Sequence, residues 1–312
     1  MQNFGFVFPG QGSQKLGMLS NLAASHSIIE QTFAEASEVL NLNLWEICQH
    51  DGGNSLDQTH ITQPVLLTAS VAIWRLWQQL NAPRPKILAG HSLGEYSALV
   101  CAEVLSLADA TNIVHHRGQY MQSAVPIGTG KMAAIVGLEN YQIHEICDEA
   151  EQKQVVSPAN FNSPGQTVIA GNTEAVERAM ALCKEAGAKR ALPLNVSVPS
   201  HCALMKPAGE QLAEELDSIE FATAKIPVVH NYNAKICDDA ETIKMNLIRQ
   251  LYSPVLWVES VQLIHNAGVS KLVEIGPGKV LSGLIKRIQP DISCFGSDEL
   301  GSLESAIVEM SG

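Results

Sequence analysis

The segment Gly90-His91-Ser92-Leu93-Gly94 lies between an apolar run, KILAG, and a helical pattern, LGEYSALVCAEV. This arrangement limits the fold more than any other feature of the chain. A G-x-S-x-G stretch that closes a strand and opens a helix is a nucleophile elbow, a sharp, strained turn that lifts the serine Oγ clear of the sheet. It also puts the backbone N–H of Leu93 at a helix N-terminus, where it can donate to a developing oxyanion. Taken alone, the elbow implies covalent acyl chemistry and no more.

The rest of the chain supplies the sheet that an elbow needs. FGFVF reads as a short buried strand that ends at the glycine-rich loop from Pro9 to Gly12. Helical spacing follows through Ile28, Ile29, Phe33, Ala36 and Leu40. Gln63-Pro64 is expected to open another apolar helix reaching about Leu80, with Pro64 in its first turn. Ser106, with Asp109 three residues on, resembles a capping box for a helix with Arg117 and Met121 on one face. From about residue 130 the rhythm becomes βαββαβ, the pattern of a ferredoxin-like unit, with one helix stopped by Gly187. Afterwards IPVVH, a helical region through Leu251, a helix near VESVQLIHNAG, strand KLVEI, the Gly276–Gly278 loop and a last long helix restore the α/β rhythm.

The fold class expected is therefore α/β. A core with a mostly parallel sheet over residues 1–127 and 198–312 is interrupted by a smaller ferredoxin-like βαββαβ subdomain over 128–197. Ligands of such sheets sit at the carboxyl ends of the strands, where the loops Pro9–Gln14, His91–Gly94 and Gly276–Gly278 fall.

Composition removes several classes of function. The net charge of −12 argues against nucleic acid as a partner. PVLLTASVAIW is too short to span a bilayer and is followed by Arg75, so no membrane anchor is expected. Seven scattered cysteines with no C-x-x-C pair imply free thiols and a cytoplasmic setting. His115-His116 offers no metal site, because adjacent helical residues diverge by about 100°.

A serine nucleophile needs a base. His201, in Val198-Pro199-Ser200-His201, follows the last strand of the inserted unit and returns toward the main sheet; no acid partner emerges from the residues themselves. Gly10-Gln11-Gly12 lacks the third glycine of a dinucleotide fingerprint, since Lys15 stands there. It fits better as a loop of backbone N–H groups facing an anion. Arg117 sits in an otherwise apolar helix pattern, where a guanidinium can grip a substrate carboxylate through two parallel hydrogen bonds.

FVFPGQGSQ, TQPVLL, GHSLGEYSAL, HHRGQYMQ, ANFNSPGQTVIAG, VPSH and EIGPGKVLSGL together, in this order, resemble the motifs of malonyl-CoA:acyl-carrier-protein transacylases of bacterial fatty-acid synthesis. The resemblance runs from residue 4 to about 288 and implies a hydrolase-like core with a ferredoxin-like insert. It implies Ser92 as nucleophile and His201 as its base, with the main-chain carbonyl of Gln250 holding the imidazole in place of an acid. Gln11 and Leu93 become the oxyanion donors, and Arg117 the malonate-binding arginine. Asn160 and Asn162 are implied to line the cleft, with Met121 and His91 completing the substrate site. VPSH is more similar to malonyl-selective members than to the YASH type of methylmalonyl-selective polyketide modules.

Malonyl-CoA and acyl carrier protein are the implied partners, with no resident cofactor or metal and a monomeric chain. Lys189, Arg190, Lys286 and Arg287 are candidates to receive an acidic carrier. A serine esterase or thioesterase would share the elbow and the histidine, but it has no need for an arginine in the acyl pocket or for the insert. A non-catalytic carrier-binding subunit would have no use for Ser92, His201 and Arg117 together.

Overall fold

Phe4–Phe8 (β1) is buried along its whole length, as a strand covered by helices on both faces must be. It belongs to a computed structural model that describes residues 3–51, 55–196 and 198–312. Helices α1 (Ser20–Ser25), α2 (Ile28–Leu40), α3 (Leu44–Gln49) and α4 (Thr59–Gln79) follow. Next come strand β2 (Leu88–Gly90) and helices α5 (Gly94–Cys101) and α6 (Leu107–Ser123). The insert comprises β3 (Gly130–Val136), α7 (Asn140–Glu151), β4 (Val156–Ser163), β5 (Gln166–Asn172), α8 (Thr173–Glu185) and β6 (Arg190–Pro193). The chain returns through α9 (Lys206–Asp217), β7 (Val228–Val229), α10 (Ala240–Tyr252), α11 (Trp257–Asn266) and β8 (Lys271–Glu274). It closes with α12 (Val280–Ile288), β9 (Ser293–Gly296) and α13 (Leu300–Ser311).

Two sheets organise these elements among the described residues. One runs β7-β2-β1-β8-β9 with every pairing parallel; the other runs β4-β5-β3-β6 and is antiparallel. In the order of their own strands the second reads 2-3-1-4, the arrangement expected of a ferredoxin-like unit. Residue 197, at the expected boundary of the insert, lies outside the described residues.

The core gathers on both faces of the parallel sheet. Phe6 meets Trp74 and Trp77 edge-on at 5.7 and 5.0 Å, and all three are buried. Burying such a side chain stabilises by roughly 1.5–3 kcal/mol, so this cluster anchors α4 on β1. The backbone of the insert is stitched to the core at Val255: Phe161 N–H donates to the Val255 carbonyl at 3.0 Å, and Val255 N–H to the Ala159 carbonyl at 2.9 Å. That stitch coincides with two irregularities in β4, between Pro158 and Asn160 and between Phe161 and Ser163. Bulges of this kind re-aim side chains beside functional sites, and here they turn Asn160 and Asn162 toward the core.

Three expectations need correction. Pro64 is not in the first turn; α4 starts at Thr59 and the proline lies inside it. The ring costs the helix the N–H that His60 carbonyl would have accepted, but His115 Nδ1 takes that place at 2.8 Å. The expected last long helix is two helices, because Pro290 follows α12 and the chain then runs as β9, the edge of the sheet. Helices α1, α3 and α9 were not anticipated. The first two are short, and α9 begins at Lys206, with Pro207 in its first turn, immediately after a 3-10 turn.

Candidate active site

The elbow forms where β2 ends and α5 begins, and the two glycines of the motif are required by contact. A Cβ on Gly90 would lie 1.8 Å from the Gly94 carbonyl carbon, and one on Gly94 2.0 Å from the Phe8 carbonyl oxygen. Ser92 between them has φ 52°, left-handed backbone that costs a non-glycine residue on the order of 1 kcal/mol or more. The turn is held from behind by Asn231, just beyond β7. Its Oδ1 accepts the Ser92 N–H at 2.6 Å and its Nδ2 donates to the Gly90 carbonyl at 2.6 Å. Asn231 escaped the sequence reading, although its place after a parallel strand is where site residues collect.

His201 lies 2.8 Å from Ser92 Oγ through Nε2 and 2.7 Å from the Gln250 main-chain carbonyl through Nδ1. A carbonyl can only accept, so Nδ1 carries the hydrogen and Nε2 is left to take the serine proton. The Gln250 carbonyl is available because it lies in the last turn of α10, where carbonyls have no partner in the helix. The same helix end carries partial negative charge, which favours the imidazolium that forms during proton transfer. His201 is 3% exposed, and its pKa is lowered to about 3 by burial first and the nearby Arg117 charge second, with the Gln250 bond opposing. The imidazole is thus held neutral, as a general base requires.

Arg117 is 1% exposed on α6, whose start is fixed by Ser106 accepting the Asp109 N–H at 3.0 Å. Its guanidinium donates to Gln63 Oε1 at 2.6 Å, Gln250 Oε1 at 3.0 Å and Ser92 Oγ at 3.2 Å. It also lies 5.5 Å over the Tyr96 ring. Burial lowers its pKa from the ordinary value, with Tyr96 and Glu95 working in the opposite direction. The ion pairs among the described residues all involve other cations, so this buried charge has no carboxylate partner. A buried guanidinium without a counter-ion, donating to the nucleophile itself, can receive an anionic acyl group.

A cleft of about 350 Å³ opens above these atoms, lined by Gln11, His91, Leu93, Met121 and Asn160 as well as by Ser92, His201 and Arg117. Among the described residues neither the Gln11 N–H nor the Leu93 N–H is bonded to a backbone acceptor. Gln11 is steadied by Thr59, whose hydroxyl donates to its Oε1 at 2.9 Å. Asn160 Oδ1 is buried without a hydrogen-bond partner beside the cleft. Asn162 instead spans to the elbow, its Oδ1 accepting from His91 Nε2 at 2.8 Å, and so ties the insert to the core. Burial lowers the His91 pKa, with the Asn162 bond opposing, so this ring too is neutral.

The Gly276–Gly278 loop does not line the cleft; Gly276 packs on Pro9 and Ser70, so it braces the loop that carries Gln11. Gln63 was missed in the reading as a site residue because its segment reads as apolar helix. His115 and His116 are engaged with the His60 carbonyl and Glu215, and the seven cysteines are free thiols.

A family model described as the acyl transferase domain matches residues 5–290. The malonyl CoA-acyl carrier protein transacylase of Salmonella typhimurium is 56% identical over 309 residues, covering 99% of this chain and all of its own. An acyl carrier protein S-malonyltransferase structure from Vibrio cholerae is 57% identical, with TM-score 0.95, covering 97% of this chain and 99% of that one. A malonyl-transacylase solved in complex with its type II PKS acyl-carrier protein is 56% identical, with TM-score 0.97, covering 98% and 99%. The chain belongs to the acyl transferase family, in its group of malonyl CoA-acyl carrier protein transacylases.

Proposed function

We propose that this protein moves a malonyl group from coenzyme A to the pantetheine thiol of acyl carrier protein by way of a malonyl ester on Ser92. The observation that carries this reading is Arg117, a buried guanidinium with no carboxylate partner, 3.2 Å from the nucleophile. The membership just described supports the choice of donor and acceptor.

The malonate carboxylate takes two donors of Arg117, which places the thioester carbonyl over Ser92. His201 Nε2 removes the hydroxyl proton as Oγ bonds to the carbonyl carbon. The resulting oxyanion turns to the Gln11 and Leu93 N–H groups; losing one such donor typically raises the barrier by about 2.7–4 kcal/mol. As the C–S bond breaks, the imidazolium returns its proton to the departing coenzyme A sulfur. The carrier thiol then reverses each step: His201 takes its proton, sulfur attacks the ester, and Ser92 leaves with the proton restored. Donor and product are both thioesters, so the reaction is close to balance and runs in either direction. Atoms and charge close without a resident cofactor. The free thiols support a cytoplasmic setting, and among the described residues no helix is long and apolar enough to cross a membrane.

Replacing Arg117 tests the reading. R117A is expected to lower kcat/KM for malonyl-CoA by about 100-fold or more, the scale of truncating one partner of a buried charge pair, while acetyl transfer falls far less. Equal losses with the two donors would contradict the carboxylate clamp.

A further inference from the structure

Glu95 lies in the first turn of α5, three residues after the nucleophile, and is 0% exposed. A buried carboxylate near a helix N-terminus commonly accepts from that helix's first N–H groups, as the strand residue Glu274 does for Leu281 and Ser282 of α12. The partners of Glu95 are all more than 130 residues away in sequence. Oε1 accepts from His230 Nδ1 at 2.7 Å; Oε2 accepts from the Asn231 N–H at 3.0 Å and from Gln250 Nε2 at 2.8 Å. Burial alone would lower the His230 pKa, but Cys237 and Glu95 outweigh it and raise it to about 10, so this imidazole is held charged at neutral pH.

These contacts leave Gln250 one orientation. A carboxylate only accepts, so Nε2 must face Glu95, and its second hydrogen reaches the Ser92 carbonyl at 3.0 Å. Oε1 is thereby aimed at Arg117, and the main-chain carbonyl of the same residue holds His201. A reversed amide would oppose oxygen to oxygen at Glu95 and nitrogen to nitrogen at Arg117. The same oxygen that faces Gln250 also fixes Asn231, the residue that clamps the strained elbow at Gly90 and Ser92.

We propose that Glu95 is a positioning residue of the transfer reaction, a buried carboxylate that orders Arg117 and His201 through Gln250 and Ser92 through Asn231. The inference rests on the malonyl-transfer reading above. An acid therefore stands behind this site, one residue removed from the imidazole that it serves.

The test compares wild type, E95Q, Q250A and the double variant, after melting curves establish that each is folded. E95Q keeps shape and burial while removing the charge that dictates the Gln250 amide. It is expected to lower kcat for malonyl transfer by about 10- to 100-fold, the scale of an ångström-sized misplacement at the reacting groups, with KM for malonyl-CoA changed much less. Because Glu95 acts in part through Gln250 and in part through Asn231, the double variant is expected to be worse than Q250A but to lose less than the product of the two single losses. A purely structural role would leave kcat of the folded E95Q enzyme at the wild-type value, or make the two losses multiply independently; either result overturns the proposal. Should E95Q fail to fold, E95D, which keeps the charge but withdraws it from Gln250, is read against the same two outcomes. If the wild-type enzyme forms no malonyl ester on Ser92, the reading of the function fails before any variant is compared.

Discussion

Ser92 Oγ accepts from Arg117 and faces His201 Nε2, so one hydroxyl reports on both the base and the substrate anchor. The His201 pKa of about 3 gives this arrangement a pH signature. The base works when neutral, and kcat/KM follows the free enzyme, so the acid limb of the malonyl-CoA profile should lie well below the ordinary histidine range near pH 6.5. A limb centred near 6.5 would show that the imidazole is not held neutral. The sign for stability follows too: between pH 6.5 and about 3 the unfolded chain binds the proton that buried His201 refuses, so this residue's contribution weakens as pH falls through that window. At this scale Ser92 was legible because a strand and a helix flank its motif, and Arg117 because a charge interrupts an apolar helix. Gln63, Asn231, Glu95 and His230 were not assigned roles. Their importance lies in contacts between segments far apart in sequence, which no local pattern records.

Among elements, α6 and α10 carry the site. The N-terminus of α6 is held by Ser106, and its middle bears Arg117. S106A is expected to cost about 1 kcal/mol, the usual value of a lost N-cap, lowering Tm by about 1–2 °C for a chain of this size. Because Arg117 lies three turns away, the malonyl-to-acetyl preference should stay at the wild-type ratio; a changed ratio would show that the cap positions the guanidinium. Helix α10 ends so that the Gln250 carbonyl is free to hold His201. Helical spacing marked α2 and the capping pattern marked α6, whereas the start of α4 was misplaced because Pro64 looked like a first-turn residue. The compensation for that proline comes from His115 on another helix, again a tertiary contact. The division of the C-terminal run into α12, β9 and α13 was missed because β9 has only four residues.

For the whole molecule, the insert and the core meet over the cleft through β4, with the Asn162–His91 bond crossing between them. The βαββαβ order of the insert was legible because its strands and helices alternate at regular lengths; the stitch at Val255 was not, because it is an isolated bridge outside any strand. With a net charge of −12, the chain can receive an acidic carrier only on a local basic patch. Lys189 and Arg190 on the insert and Lys286 and Arg287 on α12 are exposed and available for this role. KM for the carrier is therefore expected to rise between low and physiological salt, and a KM indifferent to salt would remove electrostatic docking from the account. Intact-mass analysis after mixing the enzyme with malonyl-CoA tests the central claim most directly. An adduct of about 86 Da should appear on Ser92, persist in water, and disappear when carrier protein is added, with the same mass gained by the carrier. An adduct lost to water at the same rate with and without the carrier would identify a hydrolase and contradict the account.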